Sequence, residues 1–398
     1  MLSSKRPIVA LSALFFGIAF IFIADGLIVS SASILMRQIG VGDAQIGLVN
    51  ACFFAGAIAC TITAHRLVSA LGHVRAYGVY TALFAVVCLL HNVSSNLIFW
   101  MILRFILGYT YYSLVMVTES WVNAKALNQN RSRVLAFYEI VFYVCFGLGT
   151  LFIALNLTSN EVFLIAAIFI ILGSVPLNFL KIRTPPVPPK TRMSVPNVFK
   201  IAPLALTTSF VGGLAMNGFF SMASLFVIAQ GFGAEHAAGI IVAGMAGGFV
   251  SHLIFGPISD KMGRKFAIIL AASIALGVAL VFVLAKPNLI MQYALTVLFG
   301  VIFTLYALAL ARANDVVSDK SKCIEVSRTQ LFNYLVGSCL SAPVIGVLIE
   351  IFGAMGFMYF YVATLGFLVV FAAFQKSVPS SGASPNIGGQ ATVFEEIK

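Results

Sequence analysis

The chain is 398 residues long, 61% hydrophobic and only 9% charged, with a formal net charge of +11 at pH 7. Soluble domains carry about 25% charged residues, so this composition cannot dress a soluble surface and points to an integral membrane protein. Length therefore counts spans, because a helix needs ~20 apolar residues to cross ~30 Å of hydrocarbon.

Lys5 and Arg6 precede the first apolar run, as in a signal peptide, but that run continues almost to Met36. It is too long for the apolar region of a cleaved signal and reads as a retained first helix. Apolar segments bounded by charged or turn residues fall at roughly 8–36, 44–68, 74–92, 97–121, 133–156 and 162–181. The Pro-rich basic stretch IRTPPVPPKTRMSVPNV at 182–198 cannot be helical and reads as a linker. Six more segments follow at roughly 200–229, 236–259, 264–285, 288–313, 326–350 and 354–375. The tail from Lys376 is polar and reads as disordered. An all-α membrane protein with six spans, a linker and six spans is expected.

Lys and Arg set the orientation. With both termini cytoplasmic, that side holds every Lys and Arg outside the spans except Arg37 and Lys286. The net charge is then a topology signal plus attraction to anionic lipid, and no nucleic-acid footprint is needed. The six cysteines form no C-x-x-C pair and five lie in apolar runs, so no metal cluster or disulfide is expected. The chain carries no Walker A run, H-E-x-x-H or G-x-S-x-G, which excludes an ATP-driven pump and the familiar hydrolases. No enzyme activity and no cofactor are expected.

The halves echo each other. RLVSALGHVR (66–75) follows span 2 and GPISDKMGRK (256–265) follows span 8, so that Gly72 aligns with Gly263 at a shift of 191. Leu107-Gly108 in span 4 aligns with Phe299-Gly300 in span 10 at a shift of 192. Two features with nearly one offset argue for parallel repeats about an axis along the membrane normal.

Gly256, Asp260, Gly263, Arg264 and Lys265 match the loop signature G-x-x-x-D-[RK]-x-G-R-[RK], and with the twelve spans and the repeat the chain resembles the major facilitator superfamily. The run from Arg104 through ESWVN to RSRVLAFYEIVFY, with GHVRAY (72–77) and ARAND (311–315), looks like the YcaD-type group of bacterial inner-membrane carriers. The resemblance implies two six-helix bundles, 1–181 and 200–375, joined by a linker at 182–199 and rocking around a central cavity, with a tail at 376–398. It makes Asp260 the acid of a cytoplasmic latch and Arg264 its basic partner. The first copy departs from the pattern, with Ser69 at the Asp position and His65 at the first Gly position, so one good latch and one weak one are expected. Span 5 has Gly147 and Gly149 but no proline, so it lacks the helix-5 signature of many antiporters in this superfamily, which modestly favours uptake.

An ionisable group inside a span costs ~2.5–3.5 kcal/mol on insertion scales and marks function by default. Asp25 lies ~14 Å and Arg104 ~10 Å from the extracytoplasmic end of their helices, which suggests a neutralising pair or a proton and substrate site. Glu139 in span 5 has no cationic neighbour in its own helix and suits a proton carrier; a neutral acid bonded between helices is the other reading. Glu119 lies ~33 Å along span 4, at the cytoplasmic boundary near the loop arginines Arg66, Arg75, Arg131 and Arg133, where the resemblance implies an acid of the latch network. In the superfamily helices 1, 4, 7 and 10 line the cavity, which singles out Tyr111 and Asn217. His252 in span 8 reads as a satisfied interhelical histidine. The expected protein is a monomeric, proton-coupled inner-membrane carrier of a small organic solute, uptake and an anionic solute slightly favoured, with proton-antiport efflux of toxic lipophilic compounds as the alternative.

Overall fold

The computed structural model describes residues 5–125, 131–178, 199, 202–285, 287–316 and 323–377. The stretch expected as a linker, except residue 199, and the tail beyond 377 lie outside the described residues, as do the side chains of His65, Arg131 and Arg133. With no water in hydrocarbon, each backbone N–H and C=O must bond within its own segment, and long apolar stretches therefore fold as helices. In chain order these are α1 (Lys5–Gln38), α2 (Asp43–Leu71), α3 (His73–Leu90), α4 (Leu97–Lys125), α5 (Arg131–Leu151) and α6 (Ser159–Asn178). Then come α7 (Pro203–Ala229), α8 (Ala234–Met262), α9 (Arg264–Ala285), α10 (Leu289–Val316), α11 (Cys323–Phe352) and α12 (Gly356–Ala373). Eleven stretches are long and apolar enough to cross a membrane, and the last, Val326–Ala373, contains most of α11 and all of α12. The chain is a multi-pass, all-α membrane protein.

The repeat read from the sequence is repeated in backbone geometry. α2 and α8 are each 29 residues long, start after Gly42 and Gly233, and end at Gly72 and Gly263. Gly72 has φ +78° and Gly263 φ +91°, a region costly for any residue with a Cβ, so the sharp exit into α3 and α9 requires glycine. The helices also cross their partners alike. A Cβ on Gly56 of α2 would strike the Phe105 carbonyl of α4, and one on Gly108 would strike Phe53. In the second half, Gly247 of α8 lies against Val297 of α10, and Gly300 against Gly244. Small residues let membrane helices approach backbone to backbone, where packing rather than hydrophobicity holds them.

One span is interrupted. α10 tightens into a 3-10 turn at Gly300–Thr304, where the sequence suggested a continuous helix. Gly300 presses there on the α8 backbone at Gly244, Gly247 and Gly248, and Thr304 Oγ1 donates to Val301 O at 2.8 Å. Mid-helix 3-10 stretches often mark hinges. Gly247→Leu is expected to shift purified protein from a monodisperse size-exclusion peak to aggregate. Gly366→Ala, which meets nothing within 4 Å, should leave the elution profile unchanged.

Candidate transport site

A cavity of about 450 Å³ lies between the first six helices and the last six. Its wall takes Asp25 from α1, Tyr111 and Glu119 from α4, Glu139 from α5, Asn217 from α7 and His252 from α8. α2, α10 and α11 add Phe53, Tyr306 and Tyr334. Most of the wall is aromatic, and among the described residues no Lys or Arg lines it. The expected site residues Asp25, Tyr111, Glu139 and Asn217 thus share one chamber.

Asp25 is buried at 4% exposure, and its Oδ1 has no hydrogen-bond partner. The Tyr111 hydroxyl and, more distantly, the Arg104 charge act on it. The neutralising pair of Asp25 and Arg104, one of the two readings of these charges, is not formed: no Arg104 nitrogen comes within 4.0 Å of an Asp25 oxygen. Arg104 is also absent from the cavity wall, contrary to the expectation that it faces a solute. It lies two turns beyond Tyr111 on the same row of α4, past the closed end of the chamber, within electrostatic reach of Cys52, Cys88 and His91. Its Nε and Nη2 have no partner, although the residue is only 1% exposed.

Glu119, expected at the cytoplasmic gate, lies on the chamber wall: its row, Tyr111, Val115 and Glu119, turns into the chamber. It is 8% exposed and interacts electrostatically with Glu139. Glu139 is half-buried. His252 sits on the neighbouring α8 wall, its Nδ1 bonded to Gly248 O at 2.8 Å and its ring 6.0 Å from Tyr143 of α5. Asn217 is tied by donations from Nδ2 to Tyr334 Oη at 2.9 Å and Ser338 Oγ at 2.7 Å, which fix α7 to α11.

Beyond the chamber, at the end of the helices marked by Gly263, the loop signature forms a charged knot. Arg264 is 2% exposed; its Nη1 donates to Asp260 Oδ1 at 2.5 Å and Ser259 Oγ at 2.7 Å, and its Nε to Asp315 Oδ2 at 3.0 Å. Lys265 Nζ donates to the carbonyls of Ala373 and Gln375 at the end of α12. Gly256, grouped with the latch by sequence, lies on the chamber wall. Asp315 was legible only as part of ARAND, and its partnership with Arg264 needed the structure. In the first half the residue at the Arg264 position is His73, a role the sequence reading missed although the shift of 191 pairs the two. His73 is 1% exposed and its Nε2 meets Ser120 Oγ at 3.2 Å.

The opposite end, marked by Arg37, is closed between the halves. Ser33 Oγ donates to Ser221 O at 2.6 Å, and Ala44 N donates to Glu350 Oε1 at 3.0 Å. Gly47 of α2 lies on Ala342 and Pro343 of α11, and Gly346 of α11 lies on Asp43 and Ala44. Arg37 pairs with Asp43 at 3.2 Å beside this seam. The chamber is thus shut at one end and reaches Gly256 and Pro257 at the other.

Comparisons with known proteins agree with this architecture. Residues 14–322 match the sequence profile of the Major Facilitator Superfamily. The chain is 25% identical over 329 residues to YcaD, an MFS-type transporter of Escherichia fergusonii, covering 81% of this chain and 84% of that one. It is 23% identical over 391 residues to YcaD of Salmonella arizonae, covering 97% and 99%. Among solved structures it is similar in fold to a bacterial homolog of the human lysosomal transporter Spinster in an inward-facing conformation, with TM-score 0.70, 18% identity and coverage of 93% and 96%. It is also similar to the nucleoside transporter NupG, with TM-score 0.74, 14% identity and coverage of 92% and 97%. Twelve long helices among the described residues, arranged as two repeats with a chamber between them, the charged knot at Arg264 and a profile match over most of the chain lead to one conclusion: this chain belongs to the Major Facilitator Superfamily and is a membrane transporter of a small molecule, not an enzyme.

Proposed function

We propose that the chain is a proton-coupled secondary transporter of the bacterial inner membrane that moves a small organic solute by alternating access. The bundles at 1–181 and 200–375, joined by the linker at 182–199, rock about the chamber as a monomer, and both termini are cytoplasmic. The observation that carries this reading is the buried carboxylate of Asp25 in a chamber sealed at one end by bonds between the halves. A carboxylate with no ion-paired cation, in so apolar a place, relieves its charge by taking up a proton or a cation. Glu139 is the second proton candidate, and the knot at Arg264 marks the cytoplasmic end.

Uptake is favoured by the missing helix-5 antiporter signature. The second reading, proton-antiport efflux, gains from the lining, which is acidic and aromatic where an anionic solute would need a cation. Purified protein in proteoliposomes with an imposed pH difference tests the coupling. Saturable solute accumulation that collapses on adding a protonophore is expected, and flux indifferent to the gradient overturns coupling. In intact cells, lower solute entry on deletion supports uptake, whereas drug hypersensitivity supports efflux. Orientation is checked with reporter fusions: green fluorescent protein at the C-terminus is expected to fluoresce, and alkaline phosphatase fused after Lys286 is expected to be active.

A further inference from the structure

The chamber differs from a sealed tunnel in one respect. Two of its wall residues, Ile140 of α5 and Leu253 of α8, are 39% and 64% exposed. Ile140 continues the outward row Phe137, Val144 and Leu148 on α5, and Leu253 stands with Val250 and Ile254 on the outward face of α8. These rows lie within stretches long and apolar enough to span the membrane, so they face lipid. Ile140 is nine residues from the Arg131 end of α5, and Leu253 is nine residues from the Met262 end of α8. Each therefore lies ~14 Å in from the Gly263 end, at one common depth within one leaflet. The preceding residue in each case, Glu139 or His252, is on the chamber wall. The gap between α5 and α8 is thus a doorway whose frame is apolar outside and polar inside.

The charge within is one-sided. Asp25, Glu119 and Glu139 line the chamber without any described Lys or Arg, and Tyr143, Phe146 and Phe220 surround them with ring faces. Carboxylates and aromatic faces both attract cations, while an anion would meet repulsion from each. From the doorway and this lining we infer that the transported solutes are amphiphilic organic monocations taken laterally from the leaflet. The ammonium or phosphonium centre rests against Glu119 and Glu139, and the apolar body lies among the rings. This inference rests on the efflux form of the transporter reading, because the doorway opens in the leaflet at the Gly263 end, and it names the substrate class of the chamber.

The test uses the full chain in lipid nanodiscs, without any ion gradient, and two probes of nearly one size and opposite charge. Tetraphenylphosphonium is expected to bind saturably, and tetraphenylborate is expected not to compete. Equal binding of the two, or preference for the borate, overturns the cation assignment on unaltered protein. The double variant Glu119→Gln, Glu139→Gln is expected to weaken phosphonium binding at least about tenfold, equivalent to ~1.4 kcal/mol. An unchanged affinity removes the two glutamates from the site. Ile140→Trp with Leu253→Trp should slow phosphonium association from the bilayer while leaving its equilibrium affinity in place, and an unchanged rate overturns the lateral route. Phosphonium that binds in nanodiscs but crosses proteoliposomes no faster than protein-free liposomes leaves the site standing and overturns its assignment as a transported solute. Gradient-driven flux of another solute, with which phosphonium does not compete, leaves the transporter reading standing and overturns the substrate class.

Discussion

Asp25→Asn is expected to abolish proton-driven accumulation in proteoliposomes, lowering the uphill rate by about a hundredfold or more, ~2.7 kcal/mol in the driving step. Asn is nearly isosteric with Asp and cannot release a proton, so the substitution removes the chemistry and keeps the shape. Solute exchange down a gradient should persist, because that half-cycle needs only the chamber. A purely structural carboxylate behaves differently: if Asp25 existed to neutralise Arg104, breaking the pair would cost ~3–5 kcal/mol of stability. The two charges are not in salt-bridge contact and Asp25 Oδ1 has no partner, so the variant is expected to melt no lower than the parent. A large fall in Tm with coupling intact would place Asp25 in the scaffold. Retained accumulation would move the coupling to Glu139, and Glu139→Gln would then become the decisive variant.

Arg264→Met is expected to destabilise the second half by about 1.5–3 kcal/mol, because it removes the Nε donation to Asp315, whose side chain is 3% exposed, as well as the pairing with Asp260. Thermal unfolding of the detergent-solubilised protein measures this as a drop in Tm. The double variant Arg264→Met, Asp315→Asn removes both buried charges together and should recover most of the loss. Failure to recover would move the cost to the contacts with Ser259 and Asp260. His73→Met, at the equivalent place in the first half, removes one neutral contact to Ser120 and should cost ~0.5–1.5 kcal/mol. The contrast between the two halves is as informative as either value.

The sequence was most readable where its signals are local. Hydrophobic runs mark helices, Gly72 and Gly263 mark turns that need a positive φ, and the offset between them recurs in the crossings of Gly56 with Phe105 and Gly247 with Val297. Residue spacing along a helix gives height, and height together with the superfamily's lining helices misplaced Arg104. Arg104 was judged by depth to reach the solute, yet the chamber ends two turns short of it. Glu119 was judged to stand at the cytoplasmic gate, and the chamber extends to its level. How far the bundles have separated is a property of two surfaces, and no stretch of one helix encodes it. The 3-10 turn in α10 escaped for a related reason, since its cause lies in the glycines of α8.

The seam at the Arg37 end has an energetic consequence. At Gly47 and Gly346 it brings main chain against main chain, with no side chain of either residue interleaved across the halves. Parting the halves there also breaks side-chain contacts, among them Ser33 Oγ on Ser221 O and Asn50 Nδ2 on Met222 Sδ. The preferred state is set by the difference in free energy between the two arrangements of the halves. Each ~1.4 kcal/mol by which an occupant favours one state over the other shifts the two populations tenfold. Modest binding energy, spent unequally between the two ends, is enough to turn the molecule over.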